Sequence, residues 1–205
     1  MTLPPLNWDD RFANSDGYLF GTTANYFLTE VAHLLPTCGS ALAVADGEGR
    51  NGVWLARHGL DVTSVDVSPT AQKRAADLAA EFDVSLNLMI GDAHDWDYPE
   101  HAFDVVVEVF TQFSNPEQRA RKWAGMRRAL KPGGTLVIVG YRVEQLNNTS
   151  GGPRHSDHLY TADLLKEAFA DFTLKRMSQD DLEMAEGAGH AGMSSVIGAV
   201  WRKPE

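Results

Sequence analysis

The sequence predicts an α/β protein built on a doubly wound, mostly parallel β-sheet with helices on both faces. Three observations point that way. Short apolar runs alternate with segments of helical spacing from residue 40 onward, as when parallel strands are joined by crossover helices. The runs are continuous and rich in Val, Leu and Ile, as strands covered on both faces are. A glycine pair, Gly47 and Gly49, follows the first run directly, where backbone must turn sharply or come close to something.

The elements can be taken in order. Strands are predicted at Ser40–Ala45, Asp61–Val65, Ser85–Ile90, Phe103–Val109 and Thr135–Gly140, and helices at Arg50–His58, Pro69–Phe82 and Pro116–Leu130. Ser68 before Pro69 is an N-cap with proline in the first turn, and Lys131-Pro132-Gly133-Gly134 stops the third helix. A polar stretch, Asn147–His158, then leads into a helix at Thr161–Phe169. Two strands, Phe172–Met177 and Ser194–Trp201, close the chain across a glycine-rich linker, Glu186–Gly192, that cannot be helical.

The chain of 205 residues suits one domain with one substantial core. We expect residues 1–39 to form an N-terminal cap or lid containing a helix, and 40–205 to form the sheet core. Eighteen basic against twenty-eight acidic residues give a net charge of −10, which disfavours nucleic acid and anionic lipid and favours small-molecule partners. Cys38 is the only cysteine, so no internal disulfide is possible. The opening Met1–Pro5 lacks the basic and apolar regions of a signal peptide, and no apolar run reaches the roughly 20 residues that span a bilayer. A cytoplasmic protein, monomeric or homodimeric, is expected.

In an open parallel sheet, ligands bind beyond the carboxyl ends of the strands. The stretch Ala45–Asn51, ADGEGRN, lies at the end of the first predicted strand, and Gly47, Gly49 and Gly52 fit G-x-G-x-x-G. Asp66, at the end of the second, stands where an acid would accept hydrogen bonds from a ribose diol. A nucleoside cofactor explains both features, and both NAD and S-adenosylmethionine fit them. A diphosphate prefers neutral or positive surroundings at a helix N-terminus, whereas Asp46 and Glu48 suit the ammonium and sulfonium of S-adenosylmethionine. No tyrosine has a lysine four residues on, as a short-chain dehydrogenase would need.

The series LAVADGEGRN (42–51), VTSVDVSP (62–69), Gly91-Asp92-Ala93, Phe103-Asp104 and ALKPGG (129–134) resembles the class I S-adenosylmethionine-dependent methyltransferases. More narrowly, GEGRN, the opening Trp8–Phe12 with Tyr18–Gly21, the Glu144–Pro153 segment and Glu186–His190 resemble the tellurite-resistance methyltransferase family. The resemblance implies a Rossmann-like sheet with an antiparallel C-terminal strand. It also implies a cofactor set of Asp46, Gly47, Gly49 and Asn51 around the methionine part, Asp66 and Val67 at the ribose, and Asp92 and Ala93 at the adenine. Glu108 to Phe110 should face the methionine end and the acceptor. Family members carry an acid where this chain has Ala43, and we expect Asp46 to take over the contact with the cofactor ammonium.

Methyl transfer needs alignment and a dry pocket more than an elaborate catalytic set. Phe20, Phe110 and Phe113 are candidates for lining, Tyr18 for the lid and acceptor contact, and Arg142 or Arg154 for an acceptor charge. His190 is the candidate general base or acceptor-orienting group, since imidazole titrates near neutral pH. The sequence after it, Ala191-Gly192-Met193, lacks the basic residue that the resembled family uses to bind an oxyanion. His155 and His158 lack metal-site context, no metal is expected, and Cys38 lies away from the strand ends. The leading reading is methyl transfer to a small acceptor such as tellurite or selenite, a thiol or another metabolite. A cofactor-binding module without turnover is the second, and an NAD-dependent oxidoreductase the third.

Overall fold

The structure, a computed structural model, describes residues 7–205; the Met1–Pro5 stretch lies outside the described residues. Its strands are β1 (Ser40–Val44), β2 (Asp61–Asp66), β3 (Asn87–Ile90), β4 (Phe103–Val109), β5 (Leu130–Tyr141), β6 (Thr173–Ala185) and β7 (Ala191–Arg202). They form one sheet in the order β3-β2-β1-β4-β5-β7-β6. The first five pair in parallel, and β7 runs antiparallel to both β5 and β6. This is the doubly wound sheet with an antiparallel C-terminal strand that the sequence led us to expect.

Helices α1 (Trp8–Ala13), α2 (Tyr26–Glu30), α3 (Arg50–Arg57), α4 (Pro69–Glu81), α5 (Pro116–Ala129) and α6 (Ala162–Ala168) flank it. Successive side chains of a strand point to opposite faces, so continuous apolar runs feed two cores at once. Leu42, Val106, Leu136 and Ile138 pack with Trp123 and Met126 of α5 and Leu165 of α6. Ala41, Ala43, Val105, Val107 and Val137 pack on the other side with Phe27 and Leu28 of α2 and Leu55 of α3. Ser68 caps α4 through the Ala71 N–H, and Asn115 with Gln118 closes a capping box on α5.

The structure revises three expectations. The Ser85–Ile90 run yields only a four-residue strand, β3, and it is an exposed edge rather than a strand covered on both faces, with Ile90 62% exposed. Lys131–Gly134 ends α5 as expected, but the chain then enters β5 at once: Phe103 pairs with Leu130 and Val105 with Thr135, leaving the four residues as a bulge. The last two strands extend into a long hairpin turning through Glu186–His190. The added half of β6, Ser178–Ala185, is polar because β6 is the outer edge of the sheet, and charged edges discourage further pairing.

Candidate functional site

β1 ends at Val44, and the chain then passes through three left-handed residues before α3: Ala45 (φ 49°), Gly47 (φ 59°) and Gly49 (φ 85°). A side chain at Gly49 would also meet α4, its Cβ falling 2.6 Å from that of Ala75. Ala45 holds the left-handed conformation without being glycine, at a cost of order 1–2 kcal/mol. Phe110, just past β4, is a second such residue (φ 55°). Strained backbone of this kind clusters at functional sites, and both residues line one cleft of about 860 Å³ at the carboxyl ends of the central strands.

Asp66 ties the ends of β1 and β2 together. Its Oδ2 accepts the Gly47 N–H at 2.8 Å and its Oδ1 the Ser68 N–H at 2.9 Å. Burial raises its carboxyl above the ordinary range, against those hydrogen bonds. Val67 beside it is half exposed at 49%. Asp92 and Ala93 line the cleft past the end of β3, and Asp92 Oδ1 lies 2.8 Å from His94 Nδ1. Asn51 and Gly47 also reach the cleft, Asn51 Oδ1 accepting the Asn25 N–H at 3.0 Å.

His190 sits at the other end of the cleft, buried among rings: its centroid is 4.4 Å from Phe20, 4.6 Å from Phe110 and 5.7 Å from Tyr141. Burial and the Arg50 charge lower its pKa despite Glu186, so the ring is neutral at physiological pH. Its Nδ1 lies 3.9 Å from Glu186 Oε2, too far for a hydrogen bond. Gly189 makes room for this arrangement, since a Cβ there would fall 2.4 Å from Phe20. Phe20, Phe110 and Phe113, the three expected lining residues, all reach the cleft, as do His155, His158 and Arg154.

Five expectations are corrected. Glu108 does not face the cleft: it is wholly buried and bonds Lys122 Nζ at 3.3 Å, Trp123 Nε1 at 2.7 Å and the Tyr160 hydroxyl, because its position in β4 points it under α5. Arg142 is turned away as well, held by Asp181 at 2.6 Å and Glu144 at 3.5 Å; the unforeseen half of β6 supplies Asp181. Tyr18 packs beside Val53 and Leu78 and donates to the Arg74 carbonyl at 3.2 Å, so it braces the N-terminal segment instead of meeting an acceptor. Asp46 borders the cleft, but its oxygens accept the Gly52 N–H at 3.1 Å and the Ser64 hydroxyl at 3.1 Å. Burial pushes it up to about 7, and both of its oxygens are engaged inside the fold rather than turned to an ammonium. Glu48, counted with Asp46 as loop charge, is taken by Arg74 at 2.7 Å and the Leu19 N–H at 2.7 Å.

Several cleft residues escaped assignment from sequence. Trp8, Arg11 and Phe12 share one face of α1, and their i, i+3, i+4 spacing is the signal that could have found them. Arg50 pairs with Glu186 at 2.6 Å, and Asn25 Nδ2 donates to Glu186 at 2.9 Å. This contact spans most of the chain, so no local pattern marks it. Tyr141 lines the cleft with a buried hydroxyl that has no hydrogen-bond partner among the described residues.

Residues 41–134 match the family described as a methyltransferase domain. A stretch of 106 residues is 34% identical to 2-methyl-6-phytyl-1,4-hydroquinone methyltransferase of Synechocystis sp., covering 51% of this chain and 33% of that protein. The chain spans only 33% and 54% of the lengths of two curated relatives that it matches. Among solved structures, one concerned with the conversion of a disulfide bond into a thioacetal group during echinomycin biosynthesis superposes with a TM-score of 0.77 at 18% identity, covering 96% of this chain and 90% of that one. TehB from Haemophilus influenzae superposes with a TM-score of 0.73 at 19% identity, covering 96% of this chain and 67% of that one. Among the described residues no helix is long and apolar enough to cross a membrane. Residues 41–134 are therefore similar to a methyltransferase domain, and the chain shares the fold of these solved structures, the class I methyltransferase fold.

Proposed function

We propose that the chain is an S-adenosylmethionine-dependent methyltransferase acting on a small acceptor, with residues 7–39 covering a core that begins at residue 40 as parts of one domain. One observation carries the reading: the left-handed Gly47–Gly49 turn and the Asp66 carboxylate meet at 2.8 Å on the wall of a cleft whose far end is a cage of Phe20, Phe110, Tyr141 and His190. The residues present suit the cofactor. Asp66 keeps lone pairs beyond its two backbone hydrogen bonds for ribose hydroxyls, and the glycine turn lets backbone approach the methionine part. Val67 flanks the sugar, and Asp92 with Ala93 receives the adenine edge.

Bound there, S-adenosylmethionine supplies an electrophilic methyl group on a sulfonium. The chain's own residues do the rest by position and exclusion of water. Phe20 and Phe110 wall the transfer end, and neutral His190, with Nδ1 turned towards Glu186, accepts the proton that an acceptor S–H or O–H loses. Leu19 accepts the Gly189 N–H at 2.9 Å, and Glu48 holds the Leu19 N–H, so the N-terminal segment closes over the cleft with the β6–β7 turn.

Tellurite, selenite, thiols and other compact metabolites are the acceptor classes, and the likeness to TehB supports a place near the tellurite-resistance family. The test is incubation with label in the donor methyl and a panel of tellurite, selenite, thiols and halides, with calorimetry of S-adenosylmethionine and its demethylated product. Tight donor binding with no label in any product would sink the small-acceptor reading.

A further inference from the structure

The acceptor end of the cleft holds a guanidinium that no anion neutralises. Arg11 projects from α1 with its Cζ 5.0 Å from the Trp8 ring and 5.7 Å from the Phe20 ring, and it lines the cleft. Among the described residues no carboxylate pairs with it. Arg50 is bound to Glu186 at 2.6 Å, and Arg154 to the Asn148 carbonyl at 2.8 Å. Arg11 is half-buried, and that partial loss of water lowers its pKa. The Tyr141 hydroxyl is buried and unbonded among the described residues, and Arg11 and Tyr141 flank one ring pair of the cleft: the Arg11 Cζ lies 5.7 Å from Phe20, Phe20 4.4 Å from His190, and His190 5.7 Å from Tyr141.

The acids of the cleft lie elsewhere or are engaged. Asp46, Asp66 and Asp92 stand at the ends of β1 to β3, Asp9 accepts the Thr70 N–H at 2.9 Å, and Glu186 is shared by Arg50 and Asn25. Among the described residues the acceptor end thus offers Arg11 and the Tyr141 hydroxyl as unpaired donors and no free carboxylate, while the Arg154 guanidinium is spent on backbone carbonyls. Its walls are aromatic: Trp8 lies 5.9 Å from Phe12, 6.4 Å from Phe20 and 5.9 Å from Phe113. A cleft of about 860 Å³ holds more than a nucleoside donor with a three-oxygen anion.

We propose that the acceptor is an organic acid with a flat apolar body, its carboxylate held by Arg11 and the Tyr141 hydroxyl while its body packs among Trp8, Phe20 and Phe113. The inference rests on the methyltransferase reading above. Pairing with Arg11 leaves the carboxylate unavailable as nucleophile, so a separate thiol or hydroxyl of the acid gains the methyl carbon. The methyl–sulfonium bond breaks with its electron pair staying on sulfur, and the acceptor's proton passes to His190.

Calorimetry on the full chain saturated with S-adenosylhomocysteine tests this, with naphthoate and its neutral isostere naphthamide as probes. Naphthoate should bind about 10- to 100-fold more tightly than naphthamide, the discrimination of a charge-assisted hydrogen bond. Arg11→Gln should erase that preference while S-adenosylhomocysteine affinity holds, and Tyr141→Phe, which preserves ring volume, should reduce it several-fold. Equal affinities for the two probes, no binding of either by the saturated protein, or a preference that survives Arg11→Gln overturns the proposal. Failure of S-adenosylhomocysteine itself to bind overturns the methyltransferase reading instead.

Discussion

The Gly47 N–H donates to Asp66 Oδ2 across 2.8 Å, joining the loop that leaves β1 to the last residue of β2. One carboxylate thus shapes the turn and faces the cleft. Asp66→Ala should weaken S-adenosylmethionine binding by about 1.5–3 kcal/mol and strand the Gly47 N–H. Calorimetry checks the affinity, and an unchanged value would mean that the ribose lies elsewhere.

Glu186 joins the hairpin turn to α3 through Arg50 at 2.6 Å. Burial alone would raise its carboxyl, but the neighbouring imidazole and the guanidinium hold it down to about 2; at 3.9 Å the His190 ring acts only as a neighbour, so we ascribe the effect mainly to Arg50. A depressed carboxylate contributes stability that is present above its unfolded value of 4.5 and is lost as pH falls towards about 2. Glu186→Gln should therefore cost about 1–2 kcal/mol at neutral pH, the Arg50 and Asn25 share of the depression, and flatten the acid limb of a melting-temperature profile.

Lys122 and Glu108 form an ion pair at 3.3 Å that solvent does not reach. Lys122→Met alone should destabilise by about 3–5 kcal/mol, because it leaves a buried carboxylate without its cation. Adding Glu108→Gln, which removes the buried charge and keeps a carbonyl to accept from Trp123 Nε1 or the Tyr160 hydroxyl, should recover part of the loss. Denaturant titration of the cycle measures this, and additive losses would show that the pair does not act as a unit.

The His190 pKa lies below that of an ordinary imidazole because burial disfavours its charged form. The acid limb of kcat/KM for a thiol or hydroxyl acceptor should accordingly lie below the usual histidine range. His190→Gln should remove that limb and lower the rate by roughly 100- to 10,000-fold. A limb that persists in the variant would assign the titration to another group.

Much of this was legible in the sequence because it is written locally. The apolar runs placed β1, β2 and β4 to within a residue or two at their ends, and the cap at Ser68 and the stop at Lys131–Gly134 fixed α4 and α5. The positions of the glycine turn, Asp66 and Asp92 at the mouth of the cleft were legible for the same reason: each stands at the end of a recognisable strand. β3 was read as covered because apolar content does not reveal whether a neighbouring strand exists. The outer half of β6 was missed because an edge strand is polar by design against further pairing.

The sequence by itself determined the alternation of strands and helices, the position of the cleft-lining turn and the acid at the second strand's end, since each depends on residues a few positions apart. The tertiary structure alone decided which charges remain available. Asp46, Glu48, Glu108 and Arg142 all carry the right chemistry for a cleft, yet Ser64, Arg74, Lys122 and Asp181 take them up from distant parts of the chain. Arg11 stays unpaired because among the described residues no such partner folds against it, and an ion pair between segments far apart in sequence leaves no trace in local pattern.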